Sequence, residues 1–257
     1  MPTGTQPGAV RPPDAAVKTA AQALLGLVEE QLPTSFGPGE DEWHGYAAAF
    51  VCRMSELVRS ILVLMEDGRT IDGGLLLRVL YEHVVKFCWI AADSETRYPV
   101  WRSDGLVQRR KLHDDAVPFG FTVLDAKQLT EAQAATDRLP GMPELAQQVD
   151  TFWGGRIDAF RPRVKGAPLQ LLTIRGMYIP AYRTLSEPVH AHADVMAAYI
   201  NAGAAIWPVG QDATDRSIWW ALSVALFAQA LLVCHTVLGA PDPDRVRAIN
   251  NAMYGVR

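Results

Sequence analysis

Apolar side chains recur every three to four residues along most of this chain, which is the spacing of one face of an α-helix. No useful length of sequence alternates apolar and polar residues, so strands are not expected. The pattern predicts helices over residues 14–32, 41–66, 75–92, 95–116, 169–185 with a break at Pro180, 188–204, 217–239 and 241–254, and two short exposed helices within 125–150. The predicted fold class is all-α, a single bundle of about seven to nine helices.

The two ends of the chain differ in composition. Residues 1–13 are rich in proline, glycine and threonine and contain no apolar run, so we expect a flexible tail and no signal peptide. Residues 14–257 are predicted to form one all-α domain.

Residues Ser217–Gly239 form an uncharged run of 23 residues, which is long enough to span a bilayer. A helix that is apolar on all sides fits either a membrane or the centre of a bundle. Gln229 and His235 interrupt the run, and no cluster of Lys or Arg follows it. A buried bundle helix is therefore the favoured interpretation, and a membrane is not an expected partner.

Composition narrows the class of protein further. Of 257 residues, 49% are hydrophobic and 20% are charged, as in folded globular proteins, and the formal net charge of −4 argues against non-specific nucleic-acid binding over the whole surface. Cys52, Cys88 and Cys234 are too widely spaced for a zinc or redox motif. We interpret them as reduced core residues of a cytoplasmic protein.

A first candidate motif lies in the third predicted helix. Arg78 and Glu82 are four residues apart and share a helix face, which also carries apolar side chains. A buried Arg–Glu pair is costly unless both partners are well satisfied, so burial would indicate a specific purpose. Lys86 continues the same row, however, and the three charges equally fit a solvated stripe. The pattern leaves both interpretations open.

A second and denser motif occupies residues 181–194, where Tyr182, Arg183, Ser186 and His190 lie close together in sequence. Pro188 fits the first turn of a new helix, which places His190 near a helix N-terminus. There the helix dipole favours the neutral imidazole, which suits a general base. The structural alternative is a corner between two helices whose serine caps and whose tyrosine packs.

Three other interpretations of this region are weaker. His190, His192 and Asp194 match the HxHxD pattern of zinc hydrolases, but positions two apart on a helix point in nearly opposite directions. Ser186 lacks the strained elbow of a serine nucleophile. Residues 156–165 form a basic segment that fits either an RNA contact or a solvated connector. We therefore predict no metal and no cofactor.

With both motifs described, the chain resembles uncharacterised all-helical bacterial proteins of the HEPN-like type. They carry R-x-x-x-E in an early helix, here Arg78 and Glu82, and Y-x-x-x-S-x-x-x-H later, here Tyr182, Ser186 and His190. The resemblance covers residues 57–92 and 179–200. It implies a helical bundle that is often dimeric, and a metal-independent ribonuclease motif, R-x(4–6)-H, at the dimer interface, matched here by Arg183 and His190.

Two functions follow as expectations. The first is a metal-independent endoribonuclease in a defence or toxin–antitoxin setting, with Arg183 and His190 as catalytic residues and Arg78, Glu82, Tyr182 and Ser186 supporting the pocket. The alternative is a non-catalytic helical module, in which Arg78, Glu82, Tyr182 and Ser186 bind a small ligand or a protein partner. The expected partners are RNA, a protein or a second copy of the chain.

Overall fold

The computed structural model describes residues 12–32, 42–158, 173–186 and 217–255. Within these ranges it contains nine α-helices and no strand, which confirms the all-α prediction. The helices are α1 (Asp14–Gln31), α2 (Glu42–Glu66), α3 (Thr70–Ala91), α4 (Ser94–Ala116), α5 (Ala126–Ala134), α6 (Met142–Trp153), α7 (Ile174–Tyr178), α8 (Ser217–Leu238) and α9 (Pro243–Met253). Residues 1–11 of the predicted tail and the helix predicted at 188–204 lie outside these ranges, and the single-domain organisation stays a prediction.

The core is built around α8, which contacts α1, α2, α3 and α9. Residues Ile218–Leu238 are long and apolar enough to cross a membrane, and 78% of their most apolar window is buried by the rest of the molecule. Even the polar side chains of Ser223 and Gln229 are buried, and the Ser223 hydroxyl donates to the carbonyl of Trp220. In this structure the segment is the central helix of the bundle.

The outer helices α1 and α9 pack against each other and against α8. At one end of this pair, the guanidinium of Arg245 donates to both carboxylate oxygens of Glu30 at 2.8 and 3.0 Å. The pair is solvent-exposed, so it orients α9 on α1 and contributes little to the free energy of folding.

The region 125–150 differs from its prediction. We expected two short exposed helices, but α6 packs against α3 and buries Leu145, Val149 and Trp153. The Trp153 indole donates to the carbonyl of Cys88 at 2.8 Å. The helix is amphipathic, so its own sequence indicates an apolar face but not that α3 is the element that covers it.

The cysteines also differ in part from expectation. Cys88 and Cys234 are buried free thiols, as predicted, whereas Cys52 is exposed on the outer face of α2. Burial raises the pKa of the Cys234 thiol to about 12 and raises the pKa of Cys88 as well. Both buried thiols therefore stay protonated and behave as small apolar side chains.

Two consecutive glycines let α3 approach its neighbours closely. A Cβ atom at Gly74 would lie 2.8 Å from the indole ring of Trp219 on α8 and 2.9 Å from the side chain of Leu185. Real Cβ contacts are almost never that short, so this position requires glycine for packing. The contact fixes the N-terminal half of α3 against α8 and against the segment around Leu185.

We therefore expect Gly74→Ala to destabilise the protein by about 1–3 kcal/mol, because the added methyl overpacks a rigid ring. The matched control is Gly26→Ala on α1, where a Cβ would meet nothing within 4 Å. That change should stabilise the protein by about 0.5–1 kcal/mol through helix propensity. Denaturant unfolding of both variants measures the difference, and an equal gain in both would contradict the packing argument.

Candidate functional site

The candidate site lies where α3 meets residues 173–186, a segment made of α7, the π-helical turn Ile179–Arg183 and a short 3-10 turn. The Thr173 hydroxyl caps α7 by accepting from the Gly176 amide. Asp150 on α6 accepts the first two amides of the helix, those of Ile174 and Arg175, at 2.9 Å each. A carboxylate from another helix therefore holds the start of this segment.

A second anchor comes from α3. The buried hydroxyl of Tyr81 donates to the carbonyl of Ile174 at 2.9 Å, across 93 residues of sequence. Burial raises the pKa of Tyr81, so this hydroxyl stays protonated and remains a donor. Burial likewise raises the pKa of Asp150, although the two amides it accepts act in the opposite direction. Asp150 on α6 and Tyr81 on α3 thus hold the start of the segment.

The helix break predicted at Pro180 takes the form of a widened turn. Proline cannot donate a backbone hydrogen bond within a helix, and a π-type turn absorbs that loss. The amide of Thr184 bonds to the carbonyl of Ile179, five residues earlier, which is the π-helical pattern. The turn leaves Tyr178 and Tyr182 stacked, with ring centroids 5.4 Å apart and an interplanar angle of 25°.

The structure brings the two sequence motifs into direct contact. The guanidinium of Arg78 lies over the Tyr182 ring, 4.9 Å from its centroid, in a cation–π geometry. The same guanidinium is 3.4 Å from the Glu82 carboxylate. Arg78, Glu82 and Tyr182 thus form one cluster, which we call the Arg78 cluster.

The sequence left open whether the charges of Arg78, Glu82 and Lys86 form a buried pair or a solvated stripe, and the structure shows an intermediate arrangement. The side chains of Arg78 and Glu82 are 28% and 26% exposed, and Lys86 lies 3.9 Å from Glu82 on the next turn. The row is therefore half-buried: Tyr182 covers its first cation, and the rest of the row remains partly open to solvent. Glu82 sits between two cations and is shared by them.

The remaining residues of the second motif, Ser186, Arg183 and His190, have different surroundings. The hydroxyl of Ser186 donates to the Tyr182 carbonyl at 2.8 Å, one turn back in its own segment. Arg183, the residue after Tyr182, is exposed. His190 lies outside the described residues, as do His192, Asp194 and residues 159–165 of the basic segment. The pairing of Arg183 with His190 stays a prediction.

Sequence reasoning missed three residues that shape this site: Tyr81, Tyr178 and Asp150. Tyr178 could have been found, because it precedes Tyr182 by four residues and Ser186 by eight, on one helical row. Tyr81 and Asp150 act through contacts distant in sequence, and no local spacing indicates them.

Among the described residues, no three His, Cys, Asp or Glu side chains lie close enough together to hold a metal ion. His83 follows Glu82 directly on α3. The His83 Nδ1 lies 2.8 Å from the Val79 carbonyl, and its ring packs against Phe50 of α2. His83 therefore belongs to the contact with α2 and not to the Arg78 cluster.

We expect Tyr81→Phe to destabilise the protein by about 1–2 kcal/mol, because the Ile174 carbonyl loses its buried donor. Hydrogen exchange of residues 173–186 should rise more than exchange in the rest of the bundle. Tyr46→Phe, at an exposed tyrosine of α2, is the matched control. If the two variants lose the same stability, Tyr81 is not an anchor.

The protein should also lose stability on mild acidification because of His83. Burial holds the pKa of His83 below its ordinary value, so the unfolded chain takes up the proton first as the pH falls. The contribution of the neutral ring is complete above about pH 6.5 and is lost below it. Unfolding free energies at about pH 7.5 and about pH 5.5 should differ less in His83→Phe than in the wild type. An unchanged difference would contradict this assignment.

Comparison with known proteins places these residues in one family. No curated protein and no solved structure matches the chain. A model of DUF5677, a family of unknown function, matches residues 44–204, a range that contains both sequence motifs. The match supports an uncharacterised family, and the HEPN-like resemblance stays a prediction. Because it extends over more than half of the 257 residues, the chain belongs to the DUF5677 family of unknown function.

Proposed function

We propose that this protein is a metal-independent endoribonuclease of the cytoplasm, active in a defence or toxin–antitoxin setting. The observation that carries the proposal is the contact between Arg78 and the Tyr182 ring. It joins two motifs that lie about a hundred residues apart and that both occur in the HEPN-like proteins described above. Exposed Arg183 follows Tyr182 directly and is therefore held next to this cluster.

Arg183 and His190 have distinct roles in the proposed reaction. The ribose 2′-hydroxyl attacks the adjacent phosphorus, and the bond from phosphorus to the 5′-oxygen breaks. His190 acts as general acid or base at one of these two oxygens, and Arg183 stabilises the negative charge that develops on the phosphate. The products are a 2′,3′-cyclic phosphate and a 5′-hydroxyl, and the step needs no metal or redox partner.

The described residues support this chemistry through positioning. Asp150 and Tyr81 hold the start of the segment, and Arg78 holds Tyr182. Glu82 neutralises part of the charge on Arg78, which leaves Arg183 as the exposed cation of the turn. Arg78 is therefore a positioning residue in this proposal.

One observation favours the second candidate function, a non-catalytic module that binds a small ligand or a protein. The Arg78 guanidinium keeps a buried Nε atom that has no hydrogen-bond partner among the described residues, beside the Glu82 carboxylate. A half-buried row of charges beside stacked tyrosines suits recognition of a polar partner without any reaction. In this case, the partner would contact Lys86 and the exposed edge of Glu82.

Cleavage of an end-labelled RNA in the presence of EDTA tests the first function. We expect His190→Ala and Arg183→Ala to lower the cleavage rate by at least about a hundredfold, since each removes a group acting in the transition state. Arg78→Ala should lower it less and should loosen residues 173–186 in hydrogen exchange. The control is Arg175→Ala, which removes another exposed arginine of the same segment and should cleave at the wild-type rate.

The outcomes separate the two functions. Intact RNA with and without EDTA would overturn the ribonuclease, and cleavage that EDTA abolishes would overturn the metal-independent mechanism. Equal activity in His190→Ala and the wild type would contradict the role of His190 as general acid or base. Circular dichroism of each variant establishes that a loss of activity is not a loss of folding.

A further inference from the structure

An arginine that follows the C-terminal end of α6 is stacked on an aromatic ring. The guanidinium of Arg156 lies over the Phe152 ring, 3.8 Å from its centroid, and its Nη1 donates to the Phe152 carbonyl at 2.8 Å. This distance is well within the range of a cation–π contact. We call Phe152 and Arg156 the α6 platform. Arg156 is also the first residue of the basic segment at 156–165.

The ring beneath the guanidinium is itself held by the core. Phe152 packs edge-to-face on the neighbouring Trp153, with ring centroids 4.9 Å apart. Trp153 is buried, and its indole donates to the carbonyl of Cys88 on α3. The chain then turns sharply, because the amides of Arg156 and Ile157 both donate to the Trp153 carbonyl, at 2.8 and 2.7 Å. The guanidinium is therefore held in place by contacts within the protein.

The α6 platform is open on its outer side. Phe152 is half-buried, whereas Arg156 is exposed, so the face of the guanidinium that points away from the ring is accessible to solvent. Gly155 is also exposed, and a Cβ atom there would meet nothing within 4 Å. None of the ion pairs formed among the described residues involves Arg156. Its positive charge is thus not cancelled by a carboxylate of this part of the chain.

An exposed and stacked guanidinium combines a flat surface with a positive charge. A nucleotide carries the two complementary groups, a planar base and an anionic phosphate. Unpaired bases in RNA complexes stack on guanidinium planes as well as on aromatic rings, and Arg or Lys neutralises the backbone. Paired bases stay inside the duplex, which would offer the platform its phosphates alone. The geometry therefore favours an unpaired nucleotide.

The α6 platform lies near the start of the segment that carries Arg183. Asp150, two residues before Phe152 on α6, accepts the first two amides of that segment. Arg183 comes nine residues after Ile174, which corresponds to about 14 Å of helix. An unpaired strand of about four or more nucleotides, the size that small single-strand sites accept, is long enough to contact both.

We propose that the α6 platform binds one unpaired base of an RNA strand at a distance from the bond that is cut. The outer face of the Arg156 guanidinium stacks on the base, and its remaining N–H groups donate to the adjacent phosphate. The proposal rests on the ribonuclease function and extends it, because it makes single-stranded RNA the substrate. Arg156 is a binding residue and takes no part in the reaction.

Binding of a labelled RNA octanucleotide with 2′-O-methyl riboses tests the platform, because such a strand cannot be cut by attack of a 2′-hydroxyl. We expect Arg156→Ala to raise the Kd at least about tenfold, since a stacked base and a phosphate contact are lost. Arg156→Lys keeps the charge without the plane and should still raise the Kd about fivefold. The control is Arg109→Ala, at an exposed arginine of α4, which should leave the Kd unchanged.

A strand of the same length without bases separates stacking from charge. It keeps the phosphates, so the Kd values of the wild type and Arg156→Ala for this strand should differ by about twofold at most. Equal Kd values of these two proteins for the octanucleotide would overturn the platform. Wild-type binding by Arg156→Lys would overturn base stacking, because charge alone would then account for the contact.

Cleavage of the unmodified octanucleotide distinguishes this proposal from the ribonuclease function. Arg156→Ala should raise KM about tenfold and leave kcat within about twofold, because the platform does not contact the reacting phosphate. Cleavage with an unchanged KM would overturn the platform and leave the ribonuclease. Binding that depends on Arg156 without any cleavage would overturn the ribonuclease and leave the platform. A wild type that neither binds nor cuts the strand would overturn both.

Discussion

The burial of α8 is the constraint on which the rest of the structure depends. A helix that is apolar around its whole circumference cannot face water on any side, so other helices must surround it. Helices α2 and α3 contact it together with α1 and α9. The close approach at Gly74 is one result of this requirement. A second result is that one face of α3 is buried in the core, so its charged residues lie on the opposite face.

The candidate site uses that opposite side. An isolated charge at a half-buried position loses part of its hydration, so it needs polar or charged neighbours in compensation. Arg78 has two such neighbours, the Glu82 carboxylate and the face of the Tyr182 ring. The ring is available because Asp150 and Tyr81 hold the start of its segment against α6 and α3. The site therefore depends on the same packing that buries α8.

Local pattern predicted most of the helices and the position of the break at Pro180, because periodicity and proline chemistry act over a few residues. It did not predict which faces meet. The bond from Tyr81 to Ile174 spans 93 residues, and the burial of α6 depends on the shape of α3. The half-buried state of Arg78 could not be read from its own helix either, since it is set by Tyr182 from another segment. Candidate residues could thus be named from sequence, but their contacts could not.

The π-helical turn at Ile179–Arg183 has a consequence for how this family can vary. A turn that contains one residue more than an α-helical turn rotates everything after it by about 100° around the helix axis. Arg183 therefore faces a direction that the extra residue sets, while the buried side chains of Met177 and Leu185 hold the chain in the core on either side of the turn. The loss of a single residue in the turn would redirect Arg183 and Leu185 together, so the direction of the exposed arginine and the packing of Leu185 against Gly74 depend on the same residue count.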